Sequence, residues 1–244
     1  MVSKRRFAIA GIAITLTAAG ALVAKTRAQG SSDPLVKISA LESKLASLEH
    51  EIELLEDNKA VRRLQRAYGY YADKKLSGEI GELFAEDATA EIGGLGVFVG
   101  KQRIGQLYDF LLGGKLENGQ LFNHMILQGV VHVAPDGNTA EGRWRALIQI
   151  GQADESATWM EGPYENEYVK EDGVWKISKL HWYQTLAAPY DPGWAYAQIP
   201  MDGPSEALPP DRPPTEVYRS YPGAYLPAYH YDNPVSGRKS GGGP

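Results

Sequence analysis

Between residues 121 and 186 the chain passes through four long alternating segments, 121–133, 139–150, 158–169 and 174–186, and this run constrains the fold more than any other feature. Strand side chains alternate between two faces, so segments of this length, apolar at every second position, need a core on one side. The connections Pro135-Asp136-Gly137-Asn138 and Glu171-Asp172-Gly173 hold the residues that accept the positive φ of tight hairpins, which makes neighbouring strands antiparallel. Ahead of them the period is helical. Ala60, Val61, Leu64, Ala67, Tyr68 and Tyr71 recur three or four positions apart and fit a new helix face, with Asp57 or Asn58 available as a cap if the chain breaks there. A second helix is predicted over 77–84. Glu86 and Asp87 then turn the chain into a strand over 88–92, and Gly93, Gly94 and Gly96 make a hairpin ending at Val99. A third helix over 101–112 is closed by Gly113 and Gly114. Helices first and a long antiparallel sheet afterwards make the class α+β.

Both ends of the chain differ from this domain, which spans 57–187. In 1–28, Lys4, Arg5 and Arg6 precede an uncharged run over 7–24, and Thr26-Arg27-Ala28 offers small residues to a signal peptidase. Export to the periplasm or beyond is expected, with an uncleaved membrane anchor as the alternative. Over 35–56, Ile38, Leu41, Leu45, Leu48, Ile52 and Leu55 alternate spacings of three and four, the seam of a coiled coil and hence of a homodimer or homotrimer. The alternative is one amphipathic helix packed on its own domain. The extension 188–244 holds twelve of the fifteen prolines and seven of the fourteen tyrosines. That proline density forbids regular structure, and so many aromatics are foreign to a disordered tail, so it reads as a strap over the domain or over a neighbour.

Composition removes several function classes. With no cysteine there is no disulfide, thiol nucleophile or thiolate metal site. A net charge of −5 without a basic patch argues against nucleic acid as a partner. His124 and His132 lie eight residues apart on one strand, roughly 26 Å, too far to share an ion. No other ligand spacing stands out, so neither metal nor cofactor is expected.

The helix-to-strand stretch NKAVRRLQRAYGYYADKKLSGEIGELFAEDATAEIG, the isolated His124 and the strand pair ENEYVKEDGVWKI resemble the SnoaL-like family of the nuclear-transport-factor-2-like superfamily, over roughly 56–186. The resemblance implies a cone, a strongly curved sheet wrapped around about three helices, whose mouth takes a small molecule. It also implies that Asp73 reaches into the cone and that His124 faces it, the pair moving a proton while Tyr71 or Tyr68 polarises a substrate oxygen. The bland alternatives are an exposed helix end for Asp73 and a structural histidine for His124. Trp144, Trp159, Tyr164, Tyr168, His181 and Tyr183 are the remaining pocket candidates, together suggesting a wide cavity for a hydrophobic, aromatic molecule. On alternation, Phe122, His124, Ile126, Gln128, Val130 and His132 share one face of their strand, and Trp175, Ile177, His181 and Tyr183 one face of theirs. The expected function is a cofactor-independent lyase that eliminates water from a hydroxylated compound. A noncatalytic binding or assembly module is the first alternative, an isomerase or cyclase of the same fold the second.

Overall fold

One helix, not two, carries the chain into the domain. In the computed structural model, which describes residues 33–240, α1 runs unbroken over Pro34–Asp73. The chain does not break at Asp57, and that residue has another task. Its carboxylate is buried and accepts hydrogen bonds from Lys170 Nζ and Trp175 Nε1, both at 2.8 Å. A charged hydrogen bond to each oxygen fixes the helix to the sheet, so no cap is needed. The chain divides into two units, residues 1–46 and 47–244. Of the first, the described part is the start of α1, where Ile38, Leu41 and Leu45 are exposed. In the second, Leu48, Ile52 and Leu55 are exposed as well, and the buried stripe begins only at Asp57 and continues through Val61, Gln65, Tyr68 and Ala72. The segment 1–28 lies outside the described residues. Among the described residues no helix is long and apolar enough to cross a membrane.

Helix α2 (Ser77–Glu82) is shorter than expected, and β1 (Phe84–Ile92) starts earlier. Glu86 and Asp87 lie within this strand, at an irregularity between Phe84 and Thr89 in its parallel pairing with a later strand. β2 (Val97–Val99) folds back on β1, and α3 (Lys101–Leu112) ends at Gly113, which adopts the left-handed conformation with φ of 60°. The long strands follow as β3 (Gln120–Val133), β4 (Thr139–Gln152) and β5 (Ser156–Glu171). The last predicted strand divides into β6 (Val174–Trp182) and β7 (Leu186–Pro189), both paired with β5. Their junction is set by Gly162, where an added Cβ would sit 1.8 Å from the Tyr183 carbonyl oxygen. The sheet order is β2-β1-β6-β5-β4-β3, with β7 beside β5. All pairs are antiparallel except β1 with β6, so the sheet is mixed, curved and unclosed.

Two bulges decide which residues face inward. On β3, Gln128 (φ 49°) and Gly129 together oppose one residue of β4, and the alternation changes side there. Phe122, His124 and Ile126 therefore point the same way as Val131, while His132 turns outward, against the expectation of one uninterrupted face. The ring of Trp144 occupies the space where a side chain at residue 129 would sit, 2.0 Å from an ideal Cβ. On β6, the register passes from Tyr168↔Ile177 to Glu167↔Lys179, leaving Ser178 as the extra residue. Trp175 and Ile177 thus share the core with Leu180 and Trp182, and His181 and Tyr183 turn to the other side. A one-residue slip exchanges the faces of everything beyond it.

After β7 the described chain holds no further helix or strand. It lies against the sheet through specific contacts. Thr215 donates its backbone N–H and its hydroxyl to buried Glu91 (2.9 and 2.7 Å), Tyr218 accepts from Gln184 N, and Arg212 bridges to Val97.

Candidate active site

Inside the curve of the sheet, α1 and α3 stop short of closing a cavity of about 140 Å³. Its wall is mostly apolar: Ile92, Leu112, Ile148, Ile150, Met160 and Trp182. The volume is close to the roughly 150 Å³ of an engineered protein cavity that takes up benzene, room for one ring. This narrows the wide cavity expected from the sequence.

One side of the cavity is a chain of four polar groups. Tyr108 donates to the Tyr68 hydroxyl at 3.0 Å, Tyr68 and Tyr164 bond at 3.1 Å, and the Tyr164 hydroxyl lies 3.0 Å from His124 Nε2. Burial holds the phenols above their ordinary range and pushes the His124 imidazole down to about 4. All four groups are therefore uncharged at neutral pH. A neutral imidazole has a lone pair to offer, and three hydroxyls in series can pass protons to it or from it.

Asp73 ends α1 beside β3. One of its oxygens accepts the main-chain N–H of His124, and with Arg66, Tyr70, Asn123 and His124 it lines a second, more polar cavity of about 380 Å³. His124 borders both cavities, and Asp73 borders the polar one and not the apolar one. Asp73 instead fixes the strand from which the ring projects. Gly69 permits this contact, since an ideal Cβ there would meet Ile126 at 2.8 Å and the His124 carbonyl at 3.0 Å.

The model of the SnoaL-like domain matches residues 53–181, more than half of the chain. The chain belongs to the SnoaL-like family. No curated protein matches it. Among solved structures, a provisionally named scytalone dehydratase from Novosphingobium aromaticivorans is similar at 19% identity and a TM-score of 0.52, over 64% of this chain and 97% of that one. Hexachlorocyclohexane dehydrochlorinase LinA of type 3 from Novosphingobium barchaimii is similar at 20% identity and a TM-score of 0.50, over 57% and 93%. At such identities the likeness establishes the shared α+β fold.

Within this SnoaL-like domain the candidate residues fall into separate groups. His124, Tyr68 and Tyr164 meet at the interior cavity. Tyr71 is half-buried at the margin of the core and does not line it. Trp144 and Tyr168 lie deeper: Trp144 Nε1 donates to the Tyr168 hydroxyl at 2.9 Å, and Tyr168 donates to Gln65 Oε1 at 2.8 Å. Trp159 stacks on Tyr190, ring centres 6.3 Å apart. His181 and Tyr183 stack on each other at 3.8 Å beneath the C-terminal extension, where Tyr183 donates to Glu216. Sequence reasoning missed Tyr108. Its only signal was a place on the apolar stripe of α3 with Ile104, Leu107 and Leu112, which marks a core residue and says nothing of its hydroxyl. Among the described residues no three His, Asp or Glu side chains converge on one point.

Proposed function

We infer that this SnoaL-like protein is a cofactor-independent lyase that removes water from a small, uncharged, hydroxylated molecule carrying one aromatic ring. The observation that carries the reading is the neutral His124 imidazole at the end of the Tyr108-Tyr68-Tyr164 chain, facing an apolar cavity of about 140 Å³. His124 Nε2 takes a proton from carbon, the C–H electron pair becomes the new double bond, and the C–O bond breaks. The departing oxygen takes a proton from the tyrosine chain and leaves as water. The imidazolium then returns its proton through Tyr164, restoring every group. Desolvation makes the imidazole a weak base, so a carboxylate nearby is valuable. Asp73, bound to the backbone of His124, is the positioning residue and supplies negative charge close to the forming imidazolium. The dehydratase and dehydrochlorinase among the similar structures, both named for eliminations, support this choice over isomerisation.

In the same reading, segment 1–28 exports the chain and the exposed seam from Ile38 to Leu55 joins copies of it. The rival reading, a noncatalytic binding module, is favoured by one observation: Asp73 does not line the apolar cavity that the tyrosine chain borders. The test is a dehydration screen with single-ring hydroxylated aromatics, followed by His124→Gln and Asp73→Asn. Loss of turnover by about 10²–10⁴ in His124→Gln, with ligand affinity retained, supports catalysis. Binding without turnover in the unsubstituted protein, or equal loss of affinity and turnover, favours the binding module.

A further inference from the structure

The outward turn of His132 at the β3 bulge brings it to the C-terminal extension. There His132 Nδ1 lies 3.0 Å from His230 Nε2, a residue 98 positions away. The other nitrogen of His230, Nδ1, is 2.9 Å from Glu165 Oε2, while the second Glu165 oxygen is held by Arg143. Glu165 accepts only, so His230 carries its proton on Nδ1 and presents a bare lone pair on Nε2 toward His132. The 3.0 Å contact is a hydrogen bond, so without a metal the proton between the rings sits on His132 Nδ1. An ion that displaces this proton meets one lone pair from each ring. A carboxylate bonded to the remote nitrogen of an imidazole is the arrangement that orients metal-binding histidines and raises their basicity.

We propose that His132 and His230 bind one divalent transition-metal ion, with Glu165 orienting His230, and that this ion fastens the C-terminal extension to strands β3 and β5. The distance between the nitrogens is compatible with two neighbouring ligands of one ion. With metal–nitrogen bonds of about 2.0–2.1 Å, a separation of 3.0 Å gives an angle of roughly 90–100° at the ion. That angle suits neighbouring corners of a tetragonal site, as preferred by Cu²⁺ or Ni²⁺, and is narrow for tetrahedral Zn²⁺. Two imidazoles supply the protein ligands and solvent completes the shell. The sequence could not show the pair, because the ligand spacing is closed by the fold and not by a short motif.

The test titrates the full chain with Ni²⁺ and with Cu²⁺. The expected result is one ion per chain, a Cu²⁺ resonance spectrum with two nitrogen ligands, and tighter binding of either ion than of Zn²⁺. His132→Ala, a change at an exposed position, lowers affinity at least tenfold, and Glu165→Gln lowers it about 10–100-fold through His230. Absence of binding by the unsubstituted chain, or equal binding by it and His132→Ala, overturns the proposal and leaves the two rings joined only by a shared proton.

Discussion

Lowering the pH from 7 to 5 destabilises this protein through two histidines buried in neutral form, and the structure sets the size of the effect. Burial depresses His124 to about 4, and burial together with the Lys179 charge depresses His181 to about 3. Both titrate near 6.5 once unfolded. Between those values the unfolded chain binds more protons than the folded one, so their contribution is complete above 6.5 and is lost as the pH falls toward 4. For His124 the full loss is about 3 kcal/mol, and at pH 5 about 2 kcal/mol is already gone, with a similar amount for His181. Glu91, raised by burial, acts in the opposite sense, so the informative quantity is a difference between variants. His124→Gln does not titrate yet can still accept from Tyr164. Urea unfolding at pH 7 and 5 is the assay; with an m-value of about 2 kcal/mol/M, each histidine lowers the midpoint by about 1 M. The expected outcome is that His124→Gln recovers about half of the drop seen in the unsubstituted protein. Equal drops in both would show that His124 is accessible to protons in the folded state and would refute the neutral, desolvated imidazole on which the proposed chemistry rests.

Two further substitutions test the framework. Gly162→Ala places a methyl group 1.8 Å from the Tyr183 carbonyl, backbone that cannot swing away, so it costs about 3 kcal/mol and exposes the β5–β7 amides to hydrogen exchange. A Cβ accommodated with native exchange would contradict the strand junction described above. Asp57→Ala removes the acceptor of both Lys170 and Trp175 and lowers stability by about 2–3 kcal/mol, read in a thermal melt monitored by tryptophan fluorescence. Little change would mean that α1 is held by its apolar stripe alone.

The sequence by itself determined the α+β class, the strand order along the chain, both tight turns and the third helix with its glycine stop. These follow from periodicity and turn chemistry, which act locally. His124 and Tyr68 were named through the resemblance to the SnoaL-like family, and Tyr164 through alternation along its strand. Only the tertiary structure decided which faces meet. The bulges at Gln128-Gly129 and Ser178 reverse the alternation, sending His132 outward and turning His181 and Tyr183 to the face covered by the C-terminal extension, and a bulge is a response to packing against Trp144 or a neighbouring strand that leaves no period in the sequence. The continuity of α1 through Asp57 was equally hidden, because that carboxylate can cap a helix or bind Lys170 and Trp175, and its partners lie more than 100 residues away. The placement of Asp73 against the backbone of His124, and of Tyr108 at the head of the hydroxyl chain, depended on the close approach of α1 and α3 to the sheet. Local propensity names the residues available for a site; long-range packing chooses which atoms share a cavity.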